Sequence, residues 1–416
     1  MIYINRRYSD KAVMSFSMHA IKSIRSKVVD EVKLCNSKEE KIKLWRFISS
    51  NNVRRRIVMR PSEILEEIKF NIDNYPEVIE YYLSDYYYRN ALSIFPNKIF
   101  INSNKARQEF DNLVNLLHLK LLDVVIECGK SKLVIHLISR VERLLDEIMS
   151  LEVTSSRLTI KKEIKKIISL MKGRDIDRFV SQWVKSISKV YDYDTIMTQT
   201  HAIDLIKSLD IDVCPYCNEH RIEADNYRVR VGRKFRPALD HYYPKARYPF
   251  LALSVYNFVP SCHECNSSRK SDTDTYINKY FNPYVEGLCS KGLFEIDNVV
   301  NLLCDKVFSK VKYTEIPLAF NLKSELGNRL DIFGLYYRYI ERDSKYACKL
   351  AMPILNGYLK YERGENKSFL ESLKSTKEDY IESTSGLCLV DSALKQEFRK
   401  LKIDIVNQLY NSTYKV

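Results

Sequence analysis

Glycine is scarce in this chain, with 10 in 416 residues and none before Gly129. The first 128 residues therefore lack the commonest turn punctuation, which argues against a turn-rich region there. Long apolar runs are also missing. None approaches the roughly 20 residues that a spanning helix needs, and the opening Met1-Ile-Tyr-Ile-Asn-Arg-Arg7 has no apolar signal-peptide core. These two absences exclude a membrane-spanning reading and lead us to expect a soluble, cytoplasmic protein. There is no internal repeat and no low-complexity tract. Acidic residues are in deficit, 53 against 67 lysines and arginines, for a formal charge of +14 and a pI near 9.1. That excess favours a polyanionic partner, either nucleic acid or an anionic membrane surface, without choosing between them. Hydrophobic residues make up 45% of the chain, enough for a sizeable core.

Helical periodicity dominates the first half. Phe110, Leu113, Val114, Leu117, Leu121, Val124 and Val125 fall on one helical face, with Gly129 placed as a cap. Leu137 to Leu151 and Ile160 to Met171 repeat the pattern. Residues 1–205 are therefore expected to form a helical domain. The texture changes after Leu209. Five of the eleven prolines lie between Pro215 and Pro260, with β-friendly pieces at Tyr227–Val231 and Phe258–Val259. Helical period returns in Leu322, Leu326, Leu330, Phe333 and Tyr337, and again in Leu394, Phe398, Leu401, Ile405 and Leu409. The predicted fold class is mainly α with a small α+β insert: a helical domain (1–205), a compact module (206–285) and a helical C-terminal region (286–416).

Ten cysteines divide into two groups. Cys35, Cys128, Cys289, Cys304, Cys348 and Cys388 are scattered and expected to be reduced. The other four form Cys214-Pro-Tyr-Cys217 and Cys262-His-Glu-Cys265. Two such pairs supply the four thiolates of a closed, structural zinc site. The alternative is four unrelated buried thiols or a redox pair. The gap between the pairs, residues 218–261, exceeds that of a zinc ribbon and implies a subdomain inserted between two knuckles. His263 and His220 are read as non-ligands.

That insert holds the chemistry. It contains Ala238-Leu-Asp240-His241-Tyr-Tyr-Pro244-Lys245, on a β-like approach, and then Asn257-Phe-Val-Pro-Ser-Cys262-His-Glu-Cys265-Asn266-Ser-Ser-Arg269-Lys270. Phosphodiester hydrolysis needs a base for water, a metal at the leaving oxygen and cations on the phosphate. His241 suits the base, because neutral imidazole is available near pH 7. Asp240 offers a hard oxygen to Mg²⁺ or Mn²⁺, and Asn266 an amide oxygen to the same ion. Arg269 and Lys270 are placed to clamp phosphate. Read alone, Asp240-His241 would be an ordinary structural pair.

Together these residues resemble the HNH (ββα-metal, His-Me finger) endonuclease family, in many members of which two cysteine knuckles bracket the motif. The resemblance covers about 70 of 416 residues. It implies that Asp240 and Asn266 are metal ligands, that His241 is the general base and that Asn257 orients the histidine. Many members have histidine where this chain has Asn266. The HNH domain of RNA-guided CRISPR nucleases departs in the same way. Tyr280-Phe-Asn-Pro-Tyr284 and Leu293-Phe-Glu-Ile296 are similar to the segment that follows the motif in the HNH components of Septu-type and retron-linked anti-phage systems. That likeness implies a role in defence and an ATPase partner; the helical arms are expected to bind such a partner or to form a homo-oligomer.

The substrate surface is read from charge. Arg228, Arg230, Arg233, Lys234, Arg236, Lys245 and Arg247 share a stretch with one acid, Asp240. Alternation along Arg228-Val-Arg-Val puts Arg228 and Arg230 on one strand face, suited to DNA phosphates. A merely solvated face is the alternative. Lys161, Lys162, Lys165, Lys166, Lys172 and Arg174, and also Arg54-Arg55-Arg56, are read as solvated. The tyrosines at 81–82 and 86–88 are read as core or protein interface. The expected function is metal-dependent hydrolysis of DNA. The rivals are a non-catalytic zinc module that binds nucleic acid and an adaptor for an ATPase.

Overall fold

The computed structural model describes residues mainly within 2–83, 180–222, 236–287, 294–296, 318–320, 331–365 and 376–414. Among these residues helices dominate, accompanied by two small antiparallel sheets. Among the described residues no helix is long and apolar enough to cross a membrane. The helical stripes expected over 110–171, the basic set at 161–174 and the tyrosines at 86–88 lie largely outside the described residues. So do Arg228 and Arg230.

The chain divides into two compact units that are discontinuous in sequence. One comprises Met1–Met18, Met197–Pro244 and Ser254–Val416, and the other His19–Ile196 and Lys245–Leu253.

The His19–Ile196 unit is built on the larger part of helix α1 (Asp10–Leu34), from His19 onward, and on α2 (Lys38–Phe47), α3 (Ser50–Val58), α4 (Pro61–Asn74) and α5 (Gln182–Val190). Local chemistry sets their ends. Ser37 Oγ accepts from Glu40 N at 3.1 Å, Ser49 Oγ accepts from Asn52 N at 3.3 Å, and Pro61 starts α4 where no amide donor is required. The core is aromatic. Phe47 meets Tyr75, Trp183 and Phe250 at centroid distances of 4.9, 6.0 and 6.2 Å. Arg56 is buried beside them, its guanidinium 4.2 Å from the Phe47 centroid. Its Nε donates to Glu67 at 2.7 Å, and its Nη1 donates to Phe47 O at 2.9 Å and Tyr191 Oη at 3.1 Å. Arg56 was expected to be solvated; the structure puts it at 1% exposure, because every polar edge finds a partner inside.

The other unit carries α6 (Gln199–Leu209), whose Thr198 Oγ1 accepts from His201 N, and which stops at Asp210 in the left-handed region (φ 52°). β1 (Ala238–His241) pairs antiparallel with β2 (Phe258–Ser261), placing Asp240 opposite Val259 and His241 opposite Phe258. A wide helical segment, Glu264–Lys270, follows β2 directly, and Ser271 N reaches back to Asn266 O. β3 (Phe294–Ile296) and β4 (Leu318–Phe320) form the second sheet. Helices α7 (Ser344–Glu362), α8 (Lys377–Ser385) and α9 (Arg399–Tyr410) complete the unit. Of the helix expected over Leu394–Leu409, α9 realises the part from Arg399, with Leu401, Ile405 and Leu409 buried; Phe398 precedes it in the left-handed region (φ 54°), and Leu394 lies outside the described residues.

The helix expected over 322–337 is not found in its described part. A tight turn, Asp331–Phe333, leads to Gly334 at φ +57°, and a separate helical segment runs Tyr337–Arg342. A side chain at Gly334 would meet the Arg269 guanidinium at 2.6 Å. The backbone angle favours glycine here, so the apolar period breaks at this residue.

Candidate functional site

The two cysteine pairs meet. All four Sγ atoms of Cys214, Cys217, Cys262 and Cys265 lie within 4.8 Å of one another, and all four residues are buried. The first pair sits on a hairpin-like turn closed by Cys214 N to His220 O and Ile222 N to Asp212 O, both 2.9 Å. Asn218, just past Cys217, takes φ +56°, which asparagine tolerates better than most residues. The second pair ends β2, where Cys265 N points at Cys262 Sγ at 3.5 Å. None is in a disulfide. Zn–S bonds of about 2.3 Å in a tetrahedron put sulfurs about 3.8 Å apart, and Cys217 and Cys262 stand at 4.0 Å. The donor set, spacing and burial fit a structural zinc ion. Hydrogen bonds from Cys214, Cys217 and Cys265 hold the Cys262 thiol below the ordinary thiol range, while burial pushes Cys214 well above it. His263 is exposed and outside the cluster, and His220 turns to Glu264 at 3.4 Å.

Asp240 and His241 lie beside this cluster in the chain's architecture, on β1, 3% and 8% exposed. Both partners of Asp240 come from the knuckles. Tyr216, between the first two cysteines, donates its hydroxyl to Oδ2 at 2.5 Å. Lys270, at the end of the helical segment after Cys265, donates Nζ to Oδ1 at 3.0 Å and to His241 O at 2.7 Å. Burial, with the Asp240 charge beside it, pushes the Tyr216 hydroxyl well above the ordinary tyrosine range, so it remains a donor. Phe333 stacks on the Tyr216 ring at 4.2 Å.

The His241 ring packs edge-on to Phe258 at 5.3 Å. Asn257 is fully buried and grips the strand just beyond the histidine. Its Oδ1 accepts from Tyr243 N at 2.8 Å, its Nδ2 donates to Tyr243 O at 3.0 Å, and its carbonyl accepts from Tyr242 N at 2.9 Å. Phe258 O, opposite His241, accepts from both Tyr8 and Tyr284 hydroxyls, at 2.7 and 2.6 Å. The geometry thus fixes the backbone on both sides of the histidine. Asn266 is half-buried, and its side-chain amide makes no hydrogen bond among the described residues.

The basic residues separate. Lys270 is 1% exposed and points inward at Asp240, away from a solvent-facing phosphate clamp. Arg269 is half-buried between Glu264 (3.4 Å) and the Tyr337 ring. Arg236 is half-buried and bonds Pro237 O, while Lys245 binds both Asp194 oxygens at 2.7 Å and faces the Tyr193 ring.

Sequence reasoning missed a wall of the cluster. Arg338 is fully buried, and its Nη1 donates to Cys265 Sγ at 3.2 Å and its Nε to Glu219 at 2.6 Å. Tyr339 donates to Cys217 O at 2.6 Å. Burial opposes the Arg338 charge, but Cys217, Cys265 and Glu219 outweigh it and raise its pKa above the ordinary arginine value. Nothing in Tyr337-Arg-Tyr-Ile-Glu-Arg342 announces this, because the pairing spans 73 residues from Cys265.

Comparison of the chain with protein-family models, with curated proteins and with solved structures found no match in any of the three.

Proposed function

We propose that the chain is an HNH-type endonuclease that hydrolyses DNA phosphodiester bonds and acts in anti-phage defence. One observation carries this reading: Asp240-His241 on the first strand of an antiparallel pair, followed directly by a short helix bearing Asn266, with four cysteines gathered at the ends of the same segment. The order strand, strand, helix and the residue types at each place are those the sequence resemblance implies.

In this reading His241 takes the proton from the attacking water. Its backbone is held by Lys270 on one side and by the Asn257 grip on Tyr243 on the other, so Asn257 acts through the chain next to the base. Each carboxylate oxygen of Asp240 keeps a second lone pair after its bond to Tyr216 or Lys270, so Asp240 and Asn266 suit Mg²⁺ or Mn²⁺ as oxygen donors. They would hold the ion, which supplies positive charge for the leaving oxygen. Zinc belongs to the four cysteines, whose closed coordination leaves no position for substrate.

A second reading has a specific observation in its favour. Lys270 and Tyr216 already neutralise and cover Asp240, as they would in a non-catalytic zinc module that only binds nucleic acid.

Plasmid nicking with Mg²⁺ or Mn²⁺ separates the two. His241→Ala is expected to stay folded, bind DNA as before and lose at least about 10²-fold in nicking rate, the scale of general-base catalysis. Nicking by His241→Ala at the unmutated rate would remove His241 as the base, and binding without nicking by the unmutated protein would favour the second reading.

A further inference from the structure

We infer that Arg338 is an outer-shell cation of the four-cysteine metal site, held by Glu219 so that its fork faces the thiolate of Cys265 and slows metal release. The inference rests on the zinc reading above and adds a residue far from either Cys-x-x-Cys pair.

Four thiolates around Zn²⁺ leave a net charge of −2, buried here in a low-dielectric surround. Such a charge is costly unless dipoles or cations compensate it. Arg338 is the buried cation at hand. It has no exposed surface, its Nη1 stands 3.2 Å from Cys265 Sγ, and its Nε donates to Glu219 at 2.6 Å. The remaining nitrogen, Nη2, also pairs with Glu219 and lies 3.5 Å from Glu264. Glu219 is itself buried, so it serves as a fixed anchor for the guanidinium.

The local backbone is shaped to deliver this side chain. Arg338 N donates to Gly334 O at 3.0 Å, and Gly334 holds its left-handed turn against Arg269. On one flank Phe333 stacks on Tyr216, and on the other Tyr339 donates to the Cys217 carbonyl. Both of these contacts are with the first knuckle, and Arg338 itself meets the sulfur of the second. A guanidinium does this better than an ammonium, because one planar group serves a thiolate and a carboxylate at once. With Arg338 in place, a cation would offset the charge that four thiolates leave around a bound metal ion, so the ion would leave more slowly.

The test is zinc release from the full-length protein. Zinc content is measured first, then the rate of transfer to a chromophoric chelator, with folding followed by circular dichroism. Unmutated protein that carries no zinc would sink the zinc reading itself and the inference with it. If the unmutated protein holds one zinc, Arg338→Met is expected to release it about 10- to 100-fold faster, the size of the affinity loss that removing an outer-shell partner typically causes. Release from folded Arg338→Met at the unmutated rate would overturn the role of Arg338 while leaving the zinc site standing. Should Arg338→Met not fold, Arg338→Lys decides: it keeps a cation but loses the fork, so release faster than that of the unmutated protein supports the inference and an equal rate refutes it.

Discussion

Two buried ion pairs, one in each compact unit, show how little burial alone says about function. Arg56 and Glu67 are each 1% exposed and are closed into a complete network. Glu67 also accepts from Asn71 Nδ2 at 2.8 Å, and Arg56 reaches Tyr191 and a backbone carbonyl. Lys270 and Asp240 are equally buried, at 1% and 3%. By charge and exposure the two are alike. The difference lies in what surrounds them. The Arg56 network is packed among Phe47 and Phe250 rings. The Asp240 pair is assembled from residues of two cysteine knuckles, and its lysine also holds the backbone of a histidine. A buried pair is weak evidence for either stability or catalysis; its neighbours carry the argument.

The comparison can be broken most severely at the knuckles. Cys262→Ser removes one thiolate, and because metal binding and folding are coupled, the Asp240 side is expected to lose its zinc and its fixed structure together. Metal analysis and amide hydrogen exchange would show this as loss of bound zinc with loss of protection over 214–270. Full zinc content in that variant would count against the four-cysteine ligand set.

Next in size is Arg56→Met. It removes the buried arginine from Glu67 and leaves exposed Arg55 as the carboxylate's remaining charge partner, so the expected cost is about 3 kcal/mol, the low end for a broken buried pair, read by urea denaturation. A change under 1 kcal/mol would mean that Glu67 relaxes to water.

Lys270→Met should cost a similar amount in the absence of divalent ions, but here the two pairs should part. If Asp240 is a metal ligand, Mn²⁺ at about 100 times its dissociation constant should restore up to roughly 2.7 kcal/mol. The same Mn²⁺ should do nothing for Arg56→Met. Insensitivity of Lys270→Met to Mn²⁺ would make the pairs equivalent after all and take Asp240 out of the ligand set.

The smallest expected effect is Tyr191→Phe, which removes one hydrogen bond to Arg56, worth about 1–2 kcal/mol. It also carries a pH signature. Burial raises the Tyr191 pKa, partly offset by Arg56. A raised tyrosine contributes stability that is fully present below its unfolded value of about 10 and falls as pH rises through the native one. The unmutated protein should therefore lose stability above about pH 10 more steeply than Tyr191→Phe. Parallel alkaline profiles would refute the assignment.

Much of this was legible in the chain, and the illegible part has a common cause. Cysteine pairs announce themselves because both ligands of a knuckle are three residues apart, and β2 and α9 followed from local period. What could not be read was long-range. The inward turn of Lys270 depends on Asp240, 30 residues away, and Arg338 on a sulfur 73 residues away. The apolar spacing of Leu322 to Tyr337 suggested one helix, because periodicity is blind to Gly334 and to the need for Phe333 and Arg338 to meet different knuckles. Arg56, in a run of three arginines, looked solvated for the same reason: nothing local reveals Glu67 and Tyr191 as partners.

The turn at Asn218 has a consequence in time. Its side-chain oxygen accepts from Lys400 N at 2.9 Å and its carbonyl from Phe398 N at 2.6 Å, so the residue after Cys217 caps the start of α9. These partners are 182 and 180 residues further along the chain. At about 5–20 residues per second of synthesis, the first knuckle must wait roughly 10–40 s for the helix that covers it. Through that interval the nascent chain presents a thiol-bearing turn with an uncapped carbonyl, open to metal, oxidant or chaperone before α9 has been made.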